Sequence, residues 1–178
     1  MSVIRSNDAT TILSRWIEAV PNDRLAHLVR DATRAFARAL QVRLDAHDVS
    51  FGHWTFLRVL WEHDGLTQRQ LSEEAGVMEP TTYAAVRGME ALGYVVREQR
   101  HGNRKNIHVR LTPRGRALKR KLVPLAVDVN RVGVAGIDPP DVVRTRRVLI
   151  AIIANLAADE RAASDSPRRS PARRRKTG

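Results

Sequence analysis

The sequence predicts a mainly α fold: a small lobe of two short helices and a β-hairpin, set between longer amphipathic helices. Three observations carry this. Thr67 and Gln70 stand at the spacing of a capping box, Gly76 follows as a stop, and Pro80 to Gly93 frame a second helical pattern. Next, Tyr94-Val95-Val96 leads into a strand, and Ile107, Val109 and Leu111 alternate with Asn106, His108 and Arg110 at the period of a second strand. Finally, apolar residues recur at intervals of three and four both before and after this stretch. Helix, turn, helix and a basic hairpin in this order describe a winged helix-turn-helix lobe with a small β-hairpin wing.

The elements follow in order. Asp8 can cap a short helix in which Ile12, Leu13, Trp16 and Val20 share a side, and Pro21-Asn22-Asp23 interrupts it. A longer helix is predicted from Asp23 to Ala46, with Leu25, Leu28, Val29, Ala32, Phe36, Ala39 and Leu40 on one face. Two such helices exceed what a small lobe needs for its own core, so a partner subunit is expected. Ser50 opens a helix filled by Trp54, Leu57, Val59, Leu60 and Trp61, and Asp64-Gly65 ends it. The capping box starts a helix of about eight residues at Gln68, and Pro80 takes the first position of one of about thirteen. Thr112-Pro113 is an N-cap and first position for a helix to Arg131, kinked at Pro124 and ended by Gly133 and Gly136. Asp138-Pro139 begins the last helix, with Val142, Val143, Val148, Leu149, Ile152, Ile153 and Leu156 as its apolar face. The closing SDSPRRSPARRRKTG lacks apolar residues to offset the entropy of ordering and is expected to be disordered.

Composition narrows the function. No apolar run approaches the length of a membrane span, and the N-terminus has no signal-peptide core, so a cytoplasmic protein is expected. The absence of cysteine excludes disulfides and thiol chemistry. The formal net charge is +12. Residues 161–178 hold seven Lys/Arg against one Asp, and residues 97–121 hold ten against Glu98 alone. The second run abuts the winged helix and suits a polyanion. The tail serves equally as a phosphate-binding arm or a solubilising end. None of the six histidines has a tight metal-ligand spacing, and no nucleotide-binding glycine loop, nucleophile elbow or paired-carboxylate arrangement stands out. Neither an enzyme nor a bound metal or cofactor is expected.

Leu66-Thr67-Gln68-Arg69-Gln70-Leu71 with Gly76-Val77, Pro80-Thr81, Met89-Glu90, Gly93-Tyr94-Val95, Arg104 and Val109-Arg110-Leu111-Thr112-Pro113-Arg114-Gly115 form a long, ordered motif set. On these residues the chain resembles the MarR family of bacterial transcriptional regulators, over about residues 22–160. The resemblance implies a homodimer that binds an inverted-repeat operator in double-stranded DNA. It also implies a small-molecule effector pocket between the helical dimerisation part and the DNA-binding lobe. The expected division is an extension at 1–21, the MarR-type domain at 22–160 with its lobe at about 50–112, and the basic tail at 161–178.

Within this frame the second helix lies in the major groove. Val86, Met89 and Leu92 pack inward, while Tyr83 and Arg87, four apart, project outward behind Glu79, Pro80 and Thr81. Thr82 lies between the faces, with both packing and DNA contact open to it. Arg87 suits a guanine edge or a phosphate. Thr67, Gln68 and Arg69, at a helix N-terminus, suit a phosphate. Asn103, Arg104 and Lys105 form the wing tip, where Arg104 matches the arginine that enters the minor groove in the family. Two departures stand out: many members have arginine at the position of Ala84, and an aspartate often precedes the wing arginine where this chain has Asn103. Phe51, His53 and Trp54, with Arg43, suit an anionic aromatic ligand, or else core packing beside a surface arginine. The expected activity is a repressor relieved by such a ligand; the alternative is an architectural protein that binds DNA broadly without an effector.

Overall fold

The computed structural model describes residues 25–99 and 107–165, which fall into two compact units divided after Gly133. The predicted N-terminal helix, the wing tip and the tail beyond residue 165 lie outside the described residues.

The first unit begins with α1, Leu25–Leu44, followed by a single 3-10 turn, Asp45–His47. Only Leu40 and Leu44 of α1 are buried; Leu25, Leu28, Val29 and Phe36 remain exposed in the single chain. Asp48 then takes a left-handed conformation, φ 57°, and reverses the backbone. Ser50 caps α2, Phe51–Glu62, accepting a hydrogen bond from the His53 amide at 3.1 Å. Phe56, Leu57 and Leu60 are the fully buried centre of α2. Each is worth about 1.5–3 kcal/mol of transfer free energy.

Helix α3, Gln68–Ala75, carries the complete capping box: Gln70 N–H donates to Thr67 Oγ1 at 3.2 Å and Thr67 N–H to Gln70 Oε1 at 3.0 Å. Gly76, at φ 63°, ends it where a side chain would be strained. Helix α4, Glu79–Ala91, starts one residue earlier than predicted, with Met78 as N-cap and Pro80 in its first turn. Proline is tolerated there because that turn's amides have no helical acceptor.

The wing strands are β2, Val95–Gln99, and β3, Ile107–Leu111, antiparallel with Val95 opposite Leu111 and Gln99 opposite Ile107. A third strand, β1, Leu66–Thr67, was not predicted. It pairs Leu66 with Val109, giving the order β1-β3-β2. Asp64 supports this edge: its Oδ1 accepts the Leu111 amide at 2.8 Å.

Helix α5, Pro113–Gly133, runs through Pro124 and two residues past the predicted end. Thr112 caps it, accepting the Gly115 amide at 3.0 Å and donating to Gly93 O at 2.7 Å. A Cβ on Gly115 would lie 2.0 Å from Tyr94 O, so only glycine permits this approach of α5 to the end of α4. Trp61 Nε1 donates to Gly115 O at 3.0 Å and ties α2 to the same point. Helices α1 and α5 pack together, and the core gathers Leu44, Val49, Leu57, Leu71, Val86, Met89, Tyr94, Val109 and Leu122.

The second unit contains α6, Pro139–Asp165. It overrides the predicted boundary at 160: Asp159-Glu160-Arg161-Ala162-Ala163 contains strong helix formers, and the helix runs through the first five residues assigned to the tail. Val143, Val148, Ile150, Ile153 and Leu156 are each at least half exposed. Among the described residues no helix is long and apolar enough to cross a membrane.

Candidate nucleic-acid interface

Helix α4 divides cleanly into two faces. Val86 and Met89 are buried, Leu92 is half-buried, and Glu79, Pro80, Thr81, Tyr83, Ala84 and Arg87 are exposed. Arg87 Nη1 lies 3.4 Å from Tyr83 Oη and its guanidinium 5.9 Å from the ring centre, so the two side chains form one outward feature. Ala84 is exposed on the same face and offers no polar contact there. Thr82 is a correction to the sequence reading. Its side chain is fully buried, with Oγ1 donating to Met78 O at 3.3 Å, and it packs in the lobe instead of reaching outward.

At the start of α3, Thr67 and Gln68 are half-buried and Arg69 is exposed. Arg69 Nε donates to Glu73 at 2.9 Å, an exposed pair whose Coulomb attraction is largely screened. Gln68 Nε2 is buried with no hydrogen-bond partner among the described residues. Asn103, Arg104 and Lys105 lie outside the described residues.

The basic run at 97–121 is less free than its composition suggests. Arg97 pairs with Glu90 and Arg110 with Glu98, at 2.8 and 2.9 Å. Arg116 pairs with Asp64 and Lys119 with Glu62, at 3.2 and 2.9 Å. Three of these four acids lie outside the run, so counting charges within it overstated its field. Arg114, Arg120 and Lys121 have no acidic partner among the described residues. Asp64 was missed by sequence reasoning although it binds both Leu111 N and Arg116; its one local signal was the Asp-Gly break.

Of the expected effector residues, Arg43 is held at 3.0 Å by Asp128 of α5 and also donates to Ala39 O, so its guanidinium is already engaged within the chain. Asp128 binds Arg131 as well, and hydrogen bonds from Arg131 and then Arg43 hold its carboxyl below the usual range. Trp54 is buried edge-on against Trp61, ring centres 5.5 Å apart, and is a core residue. Phe51 is partly exposed. His53 faces α4, with Nε2 2.9 Å from where a Cβ on Gly88 would stand. Its Nδ1 is buried with no hydrogen-bond partner among the described residues, and burial pushes the imidazole below its ordinary pKa. None of these four residues lines the cavity of about 300 Å³ between the 3-10 turn and the first half of α5. Among the described residues, no cluster of three or more His, Cys, Asp or Glu gathers that could hold a metal.

Comparison with known proteins agrees with this architecture. A sequence model of the MarR family matches residues 47–105. The regulator TtmR of Methylorubrum extorquens is 29% identical over 101 residues, 57% of this chain and 52% of its own length. The chain thus spans about half of that relative. The structure of the transcriptional regulator PA3341 is 31% identical, with a TM-score of 0.66 over 75% of this chain and 98% of its own. A MarR family regulator from Listeria monocytogenes, solved with a 26mer DNA, superposes with a TM-score of 0.69 at 19% identity, over 84% of this chain and 99% of its own. Bordetella bronchiseptica BpsR, whose DNA binding is regulated by 6-hydroxynicotinic acid, gives 0.68 at 19%, over 73% and 98%. The chain belongs to the MarR family of winged helix-turn-helix, DNA-binding transcriptional regulators.

Proposed function

We propose that this chain acts as a homodimeric repressor, binding an inverted-repeat operator in double-stranded DNA and releasing it on binding a small anionic aromatic ligand. The observation that carries the reading is the exposed face of α4, with Tyr83 and Arg87 behind the leading Glu79, Pro80 and Thr81. A helix with one face locked in the core and the other polar and outward suits the major groove. Thr67, Gln68 and Arg69 then meet a phosphate through the free amides of the α3 N-terminus, and Asn103, Arg104 and Lys105 enter the minor groove from the wing. The lobe at about 50–112 reads DNA, and the helices outside it, to about residue 160, join two copies. Exposed apolar residues on α1 and on α6 support that division.

The relatives support each half of the proposal: one is solved with DNA, and another has its DNA binding regulated by an aromatic acid. The test is selection on randomised duplex DNA at fixed salt. The reading expects an inverted repeat with half-sites about one helical turn apart. Recovery of sequences without such symmetry would favour a broad architectural binder.

A further inference from the structure

Helix α4 begins with a residue that helix chemistry does not favour. Met78 is its N-cap and makes no side-chain hydrogen bond to the first turn. Serine, threonine, aspartate or asparagine would satisfy a free amide there. Its side chain is 76% exposed, the most exposed large apolar side chain among the described residues. One exposed apolar side chain is ordinary. One that also forgoes a cap, at the leading end of the helix proposed to read DNA, breaks a local rule where a functional constraint is expected.

The backbone of Met78 is fixed from both sides. Val77 N–H donates to Ser72 O at 3.1 Å, and the Ser72 hydroxyl donates to Val77 O, which ties the turn to α3. Met78 O accepts the Thr82 amide at 3.0 Å and the Thr82 hydroxyl at 3.3 Å, and Thr82 is itself buried. The thioether is thus a free side chain on a rigid root. With Val77 and Pro80 it gives a shallow groove of about 500 Å³ its apolar lining. Glu79, next in sequence and exposed, repels a phosphate, and the Met78 side chain has no donor to offer one. This corner of the lobe is suited to a base edge and not to the DNA backbone.

We propose that Met78 is a specificity-determining residue that packs on the C5-methyl group of one thymine in each half-site. The inference deepens the operator-binding reading and rests on it. In the major groove the thymine methyl is the apolar group by which a base pair is distinguished. An unbranched, polarisable side chain adapts to that group without a fixed hydrogen-bond geometry. Covering one methyl group gives about a fourfold preference per half-site, and on the order of fifteenfold over two.

The test uses the full chain and the operator recovered by selection, with each thymine in turn replaced by deoxyuridine. That change removes the methyl group and leaves base pairing intact. Titrations at one salt concentration compare wild type, Met78→Leu and Met78→Ser. At one symmetric thymine, wild type and Met78→Leu should lose about fourfold per half-site, while Met78→Ser should bind both duplexes equally. Met78→Ser should also melt no lower than wild type, because serine is the better N-cap. A Met78→Ser protein that melts lower and keeps the methyl effect would mark Met78 as structural and overturn the assignment. Methyl effects that are the same in wild type and Met78→Ser at every thymine would overturn it as well, while the operator reading stands. Failure of wild type to select any inverted repeat removes both.

Discussion

Replacing Gly115 with alanine tests the packing that joins the DNA-binding lobe to α5. The added Cβ would stand 2.0 Å from Tyr94 O, 3.0 Å from Tyr94 C and 3.2 Å from Leu111 Cδ2. The first contact is with backbone, so relief requires α5 or the start of β2 to move by about 1 Å. That movement is opposed by the Thr112 amide on Tyr94 O, by Thr112 Oγ1 on Gly93 O and by Trp61 Nε1 on Gly115 O, at 3.0, 2.7 and 3.0 Å. Alanine is the better helix former by about 1 kcal/mol. Against it stand overpacking of about 1–3 kcal/mol and about 0.5–1.5 kcal/mol for each hydrogen bond stretched or lost. Mid-range overpacking of about 2 kcal/mol and two bonds weakened by about 0.5 kcal/mol each, less the gain in helix propensity, give a net loss of about 2 kcal/mol, or a melting temperature lower by roughly 4–8 °C. Urea and thermal unfolding at matched protein concentration measure it, since dimer stability depends on concentration. Gly88→Ala is the comparison, because the atom it meets is the His53 side chain, which can rotate. A Gly115→Ala protein as stable as wild type, or more stable, would contradict this tight backbone approach.

Three further outcomes are expected. Asp128 has its pKa lowered by Arg131 and Arg43, so its contribution is present above the ordinary carboxylate pKa and is lost as pH falls through the lower folded value; Asp128→Asn should flatten the acid side of a stability-versus-pH curve and lower stability near neutrality. Arg104→Ala should weaken binding to all duplex sequences alike and reduce the slope of log affinity against log salt by about one, seen in titrations at several salt concentrations. Sedimentation at micromolar concentration should find a dimer; a stable monomer would contradict the use assigned to the exposed apolar faces of α1 and α6.

How much was legible in the sequence depended on how local the interaction was. The capping box of Thr67 and Gln70 and the helix stops at Gly76 and Gly93 are decided within a few residues, and they were read directly. Strand β1 was not, because two residues carry no period and its partners Val109 and His108 lie across the lobe. Thr82 sits at the edge of the helical stripe, where spacing alone does not assign a face. Arg43 looked like a free anchor because Asp128 is 85 positions away in sequence. Arg116 and Lys119 likewise find Asp64 and Glu62 from 52 and 57 positions away, which composition over a window cannot see. The outward face of α4 was legible because it follows from helical period, whereas the cavity at Tyr94 and Arg114 arises only where three distant segments meet.

The proposed function stands on base reading by the outward face of α4. The most direct measurement compares wild type and Arg87→Ala on the selected operator, on its single base-pair variants and on random duplex, at one salt concentration. Wild type should separate operator from random DNA by at least about 10³. Arg87→Ala should lose discrimination at one symmetric position per half-site, by about 1–3 kcal/mol for each contact. A wild-type preference of about tenfold or less, or an Arg87→Ala protein with every base preference intact, would contradict it.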